Sequence, residues 1–315
     1  MKIDVHQHLW TEPLVEALAV RREFPFVRHE SGLVVLYLAG ERPYVIDLES
    51  EVPSLRSALV ELDGLDRALV CLSSPLGIES LPRAHALSLI DAYHEGALSL
   101  EDPFGVWGAI ALDRVDPDDV DRALERGCIG LALPAGAIAG IDALAGLRAV
   151  LARLELLQAP LLVHPGPGLR EDAVRPARDV SLGEPLWWPA LTSYVAGMHA
   201  AWMAFHVAGR ANHPQLRAIF TMLAGLAPLH AERLSARGGP PLEVPDPLVF
   251  YDTSSYGPEA VRAMADLVGP EQLLYGSDRP VVEPGELGMP QLLDWDPIVE
   301  GTRRALGTTR AAGVR

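Results

Sequence analysis

Residues 2–8 read Lys2-Ile3-Asp4-Val5-His6-Gln7-His8, a short run that ends in two histidines one residue apart. In an extended chain residues i and i+2 point to the same side, so this spacing presents two imidazoles to one point in space. Ten histidines placed at random in 315 residues would make only roughly 0.3 such pairs. We therefore read His6 and His8 as metal ligands at the end of a first strand, in preference to two histidines capping that strand through backbone hydrogen bonds.

Outward from this stretch, short runs rich in Val, Ile, Leu and Ala alternate with longer amphipathic stretches, with Gly or Pro at the junctions. The strand candidates are Lys2–His6, Arg67–Leu72, Phe104–Leu112, Cys128–Leu133, Pro160–His164, Leu216–Met222, Leu248–Asp252 and Gln272–Tyr275. Helices are expected at Arg83–Gly96, Pro117–Arg126, Ile141–Leu154, Pro189–Ala208 and Pro258–Val268. Eight strand–helix units imply an α/β fold, the TIM (β/α)8 barrel, as one domain over residues 1–315. A plain barrel needs about 250 residues. The surplus falls in an insertion at about 22–52, where Gly32–Leu38 and Arg42–Leu48 read as a hairpin, and in a tail at about 281–315, helical over Gln291–Leu306.

Composition narrows the chemistry. Lys and Arg number 26 against 42 Asp and Glu, a net charge of −16, which disfavours nucleic acid and anionic membrane surfaces as partners. No stretch approaches the roughly 18 apolar residues of a membrane span. The chain begins directly with the first strand, so a cytoplasmic enzyme acting on a small molecule is expected. Lys2 is the only lysine, leaving no other residue for Schiff-base or carboxylated-lysine chemistry. Cys71 and Cys128 both sit in apolar strand-like runs and are read as buried free thiols.

Two further strand ends carry chemistry. Residues 159–168, Ala-Pro-Leu-Leu-Val-His-Pro-Gly-Pro-Gly, end a strand in His164. Residues 273–280, Leu-Leu-Tyr-Gly-Ser-Asp-Arg-Pro, run a strand into Asp278. Barrel active sites form at the C-terminal ends of strands, where a carboxylate can both bind a cation and serve as general base.

With these three segments in place, the chain resembles the amidohydrolase superfamily, in the amidohydrolase-related branch of aminocarboxymuconate semialdehyde decarboxylase and the resorcylate decarboxylases. The carrying motifs are Asp4-Val5-His6-Gln7-His8, Val163-His164-Pro165 and Tyr275-Gly276-Ser277-Asp278. The resemblance implies that these follow strands one, five and eight and bind the metal. Binuclear members carry a bridging lysine or glutamate on strand four; here that strand reads Gly130-Leu131-Ala132-Leu133-Pro134, so one metal ion is expected. Three imidazoles and one carboxylate suit Zn2+ and tolerate Mn2+ or Fe2+. Decarboxylating members usually carry a histidine after strand six, where this chain has Met222; His230 is eight residues further on. The resemblance also implies a homodimer.

The remaining candidates are Trp10, Trp187, Arg279 and Met222 as substrate contacts. The tryptophans offer an apolar wall and Arg279 a bidentate grip on a carboxylate. His199, His206 and His213 repeat every seven residues and are read as partly solvated helix positions. Because Met222 cannot transfer a proton, the expected function is a mononuclear hydrolase of an ester, lactone or amide, with Asp278 accepting the proton of a water activated by the ion. The alternatives are a non-oxidative decarboxylase and a catalytically weak barrel that only binds metal and ligand.

Overall fold

The computed structural model describes residues 1–169, 185, 187–242, 244–284 and 293–307. In chain order the strands are β1 (Ile3–Gln7), β2 (Phe26–Glu30), β3 (Leu33–Tyr37), β4 (Tyr44–Ile46), β5 (Arg67–Val70), β6 (Phe104–Val106), β7 (Leu131–Pro134), β8 (Leu161–His164), β9 (Ala218–Phe220), β10 (Val249–Asp252) and β11 (Leu273–Leu274). Parallel pairing gives one sheet in the order β1-β5-β6 and a second in the order β11-β10-β9-β8-β7. Each of these eight strands falls within, or within one residue of, a segment expected from the sequence. Backbone hydrogen bonds cross both seams between the sheets. Val5 N donates to Tyr275 O at 2.9 Å on one side, and Ala132 N donates to Gly108 O at 2.8 Å on the other.

Helices separate the strands. Pro258–Val268 opens on a proline at its first position, buries Val261, Met264 and Val268, and stops at Gly269, whose φ is +93°. The segment expected as one helix at Ile141–Leu154 is two, Ile141–Gly146 and Arg148–Leu156. The region after β8 is likewise broken, into Trp188–Leu191 and Ser193–Ala204 followed by a wider turn at Phe205–Gly209. The last helix is Trp295–Leu306. The first residues of the expected tail helix, 291 and 292, lie outside the described residues, as does most of the loop 165–186.

The insertion differs from expectation. It is a three-stranded antiparallel sheet in the order β2-β3-β4, not a two-stranded hairpin. Strand β2, Phe-Val-Arg-His-Glu, shows little hydrophobic alternation of its own and is held by its partner. Phe26 pairs in register with Tyr37, and their rings stack at 4.9 Å.

Alternation along the parallel strands divides the core. Ile3, Val5, Leu69, Cys71, Trp107, Ala132, Leu162, Ile219, Phe250 and Leu274 form one buried cluster inside the strands. Their neighbours in sequence pack outward under the helices. Trp107 spans this interior, its indole N–H donating to Val5 O at 2.9 Å.

Candidate metal centre

Strict alternation from Ile3 and Val5 would turn Gln7 inward and both histidines outward. The register shows why it does not: Asp4 pairs with Ala68 but Gln7 pairs with Val70, so β1 spends one extra residue between them. This bulge switches the phase of the strand, and His6 and His8 face inward above Val5. The bulge is held by the buried Asp4 carboxylate, which accepts from His6 N at 3.0 Å, Gln7 Nε2 at 2.8 Å and Ser277 N at 3.1 Å.

The three imidazoles of His6, His8 and His164 meet at the C-terminal ends of the strands. Their ring centroids are 4.8 to 5.1 Å apart and the ring planes are nearly perpendicular, at 83° to 85°. Each Nδ1 has an acceptor: Asp252 Oδ2 at 2.8 Å for His6, Cys71 O at 3.0 Å for His8 and Pro165 O at 2.8 Å for His164. An Nδ1 that donates leaves the lone pair on Nε2. Three Nε2 atoms are thereby assigned as ligand donors, and His6 Nε2 is buried with no hydrogen-bond partner among the described residues.

Asp278 completes the group, with Oδ1 at 3.2 Å from His8 Nε2 and 3.5 Å from His6 Nε2. Its backbone is left-handed, φ +61°, and its N–H donates to His6 O at 3.0 Å, tying the end of β11 to β1. Burial alone would raise its carboxyl, but the hydrogen bond from His8 and the charges of the imidazoles outweigh burial and hold it down to about 2. His164 is pushed well below the usual histidine value by burial and by the neighbouring rings. The donor set fits one divalent cation, which would displace the imidazole protons that face Asp278 and take their place: three nitrogens, neutral once deprotonated, and one anionic oxygen, with the rings oriented by backbone carbonyls and Asp252. The strand-four segment offers no ligand, since Pro134 stands beside His164 in register.

Two participants were not legible in the sequence. Asp252, 246 positions from His6, is fully buried; its other oxygen accepts from Met222 N at 2.9 Å and from Ser254 N and Oγ at 3.0 and 2.6 Å. Cys71, expected as a buried free thiol, is one, yet its sulfur lies 3.5 Å from His8 Nδ1, in the same cluster of potential donors as the three histidines. A carboxylate or thiol at a strand end gains meaning only from what the neighbouring strands bring to it.

The expected substrate residues disperse. Arg279 is directed to acidic side chains, with Nη1 on Asp63 at 2.5 Å and Nε and Nη2 on Glu283 at 3.2 and 2.5 Å. Here these two carboxylates, and not the metal centre, are what the guanidinium meets. Trp187 is more than half exposed and leans on Trp188. Trp10 is half-buried beside His8, its backbone N–H donating to Glu51 Oε2 at 3.0 Å. Met222 is buried next to the centre and opens a run of left-handed residues, Met222 to Leu226, with φ between +48° and +62°. His230 packs its ring at a tilt against His199 instead of turning to the centre. His206 bonds Trp202 O, and His213 is buried beside Glu155 rather than solvated.

No sequence-family model matches the chain, and no curated protein matches it. Solved structures match in fold. An amidohydrolase II structure superposes with TM-score 0.71 at 19% identity, covering 97% of this chain and 99% of its own. A 2,6-dihydroxybenzoate decarboxylase from Rhizobium gives 0.67 at 16%, covering 97% and 98%. A 5-carboxyvanillate decarboxylase from Novosphingobium aromaticivorans, complexed with manganese and 4-hydroxy-3-methoxy-5-nitrobenzoic acid, gives 0.67 at 14%, covering 97% and 96%. Over nearly its whole length, then, this chain shares the fold of an amidohydrolase and of two decarboxylases, as the resemblance of its motifs implied.

Proposed function

We propose that this chain is a member of the amidohydrolase superfamily with eight strands closed into a (β/α)8 barrel, and that it removes CO2 non-oxidatively from a small aromatic carboxylic acid, using one divalent metal ion. The observation that carries the reading is the convergence of three Nε2 donors and Asp278 Oδ1 at one point, in a fold whose similar structures include two decarboxylases. Hydrogen bonds across both sheet seams support closure of the barrel. Manganese in the 5-carboxyvanillate enzyme and the hard carboxylate in the donor set support Mn2+ or Zn2+ as the ion.

Once bound, the ion would supply a Lewis acid for the substrate's carboxylate and neighbouring hydroxyl oxygens. The chain's own contribution is placement and proton handling. Decarboxylation replaces a C–CO2− bond by a C–H bond, so one proton must reach the ring carbon as CO2 leaves. Asp278, ionised at rest, can relay that proton by accepting it from the substrate's ring hydroxyl or a water molecule and passing it to the ring carbon: its side chain is 13% exposed, whereas those of His6 and His8 are 1% and 5% exposed. Asp252 keeps His6 in one tautomer through the cycle.

A second reading, hydrolysis of an ester, lactone or amide with Asp278 as the proton acceptor, is favoured by one observation: Met222 stands where proton transfer from strand six would be expected. The two readings separate in one experiment. Protein loaded with Mn2+ or Zn2+ is assayed for CO2 release from hydroxybenzoates and for hydrolysis of an ester and lactone panel. CO2 release supports the first reading; hydrolysis without CO2 release replaces it by the second.

A further inference from the structure

Strand β9 contributes a polar group to the centre one residue before Met222. Thr221 continues the ladder, its N–H donating to Val163 O at 3.0 Å, and its backbone is extended at φ −70°, ψ 168°. Ile219, two residues earlier, belongs to the interior cluster, whereas Ala218 and Phe220 pack outward. The same alternation therefore turns Thr221 inward. Phe220 pairs with Val163 on one side and Tyr251 on the other. Thr221 thus stands level with His164 and Asp252, between a metal ligand and the carboxylate that orients another.

Its side chain is fully buried, and Oγ1 has no hydrogen-bond partner among the described residues. A buried hydroxyl without a partner is costly, and valine would occupy the same space without that cost. Other unpaired buried hydroxyls sit elsewhere. Thr253 follows inward-facing Asp252 and so points to the opposite face, Thr11 packs against Gly96 in the outer layer, and the Tyr275 ring lies in the outer cluster against Trp295. The backbone N–H of Met222 is already taken by Asp252 and Ser254.

We infer that Thr221 is a substrate-contacting residue whose hydroxyl donates a hydrogen bond to a carboxylate oxygen of the bound aromatic acid, supplying from strand six an anchor for the group that leaves as CO2. This rests on the decarboxylase reading. A threonine donor cannot deliver the ring proton, so its effect is on binding the carboxylate, not on the proton.

The test is calorimetric titration of the Mn2+-loaded protein with two probes, 2,6-dihydroxybenzoate and resorcinol, its counterpart without the carboxylate. Thr221→Val should weaken dihydroxybenzoate binding about tenfold or more, leave resorcinol binding unchanged, and keep metal content and unfolding temperature at or above those of the parent. Thr221→Ser, which restores the hydroxyl, should bind dihydroxybenzoate nearly as the parent does. Equal dihydroxybenzoate affinity in the parent and Thr221→Val, or equal weakening of both probes, overturns the assignment while leaving the decarboxylase reading intact. If the parent holds metal but binds neither probe, the aromatic-acid reading falls and the role of Thr221 falls with it.

Discussion

Asp252 Oδ2 and His6 Nδ1 lie 2.8 Å apart, both fully buried, joining residues 246 positions apart in the chain. The contact determines which nitrogen of His6 is free for a cation. In Asp252→Asn the amide oxygen can keep accepting from Met222 N, Ser254 N and Ser254 Oγ, as Oδ1 does now. The amide NH2 then faces His6 Nδ1, and only the tautomer with the proton on Nε2 avoids two opposed donors. Metal affinity should fall roughly 10- to 100-fold with the fold preserved. Metal content after dialysis against graded chelator measures it; unchanged retention would show that Asp252 does not set the tautomer.

Asp278→Asn separates proton handling from ligation. Three imidazoles still offer neutral nitrogens, so metal binding should weaken without being abolished. Turnover should drop roughly 10²- to 10⁴-fold, the usual contribution of a positioned acid or base. Met222 offers no substitute, and His230 is packed against His199. Near-normal turnover with retained metal would remove Asp278 from the mechanism.

The left-handed run after β9 is a store of strain beside the centre. Each non-glycine residue in this conformation costs roughly 1–2 kcal/mol, and Met222, Leu223, Ala224 and Leu226 all adopt it. Gly225, at φ +60°, is the position without that penalty, and a Cβ there would come within 2.8 Å of Val195 O. Gly225→Ala should therefore destabilise the protein by roughly 1–3 kcal/mol. It should also lower metal affinity, because the turn positions the Met222 N–H that holds Asp252. Thermal unfolding with and without Mn2+ reads both effects, and an unfolding temperature equal to that of the parent contradicts the strain argument.

Glu79 makes stability depend on pH. It is buried, Ser74 Oγ donates to one carboxyl oxygen at 2.6 Å, and the other oxygen is unpaired. Burial raises its carboxyl to about 7, against 4.5 for the ordinary group, while the Ser74 bond opposes the rise. The folded state thus favours the protonated form. That contribution is complete below pH 4.5 and is lost as pH rises through 7, on the order of 3 kcal/mol in total. Glu79→Gln, neutral throughout, should lose less stability than the parent between pH 5 and 8. Urea unfolding at both values decides it; parallel losses in the two proteins would mean that Glu79 is not held neutral.

The sequence by itself determined the eight parallel strands within three residues at their starts, and the four side chains that converge. Both are local properties: an apolar run and the polar residue that ends it lie within ten positions of each other. Strand ends were less sharp, because Phe104–Leu112 stays apolar past Val106, where the regular strand gives way to a single bridge from Gly108 to Leu131. Only the tertiary structure decided what sets those side chains to work. The bulge in β1 depends on how Asp4 and Gln7 pair with Ala68 and Val70, and without it both histidines of the first motif would face outward. Asp252, Cys71 and Thr221 acquire their roles from side chains on other strands, up to 246 positions away, and no spacing along the chain encodes that proximity. Arg279 shows the converse, for its place next to Asp278 in sequence suggested the substrate, while the fold turned it to Asp63 and Glu283. Successive residues at a strand end point to opposite faces, so adjacency in the chain separates side chains that pairing between strands brings together.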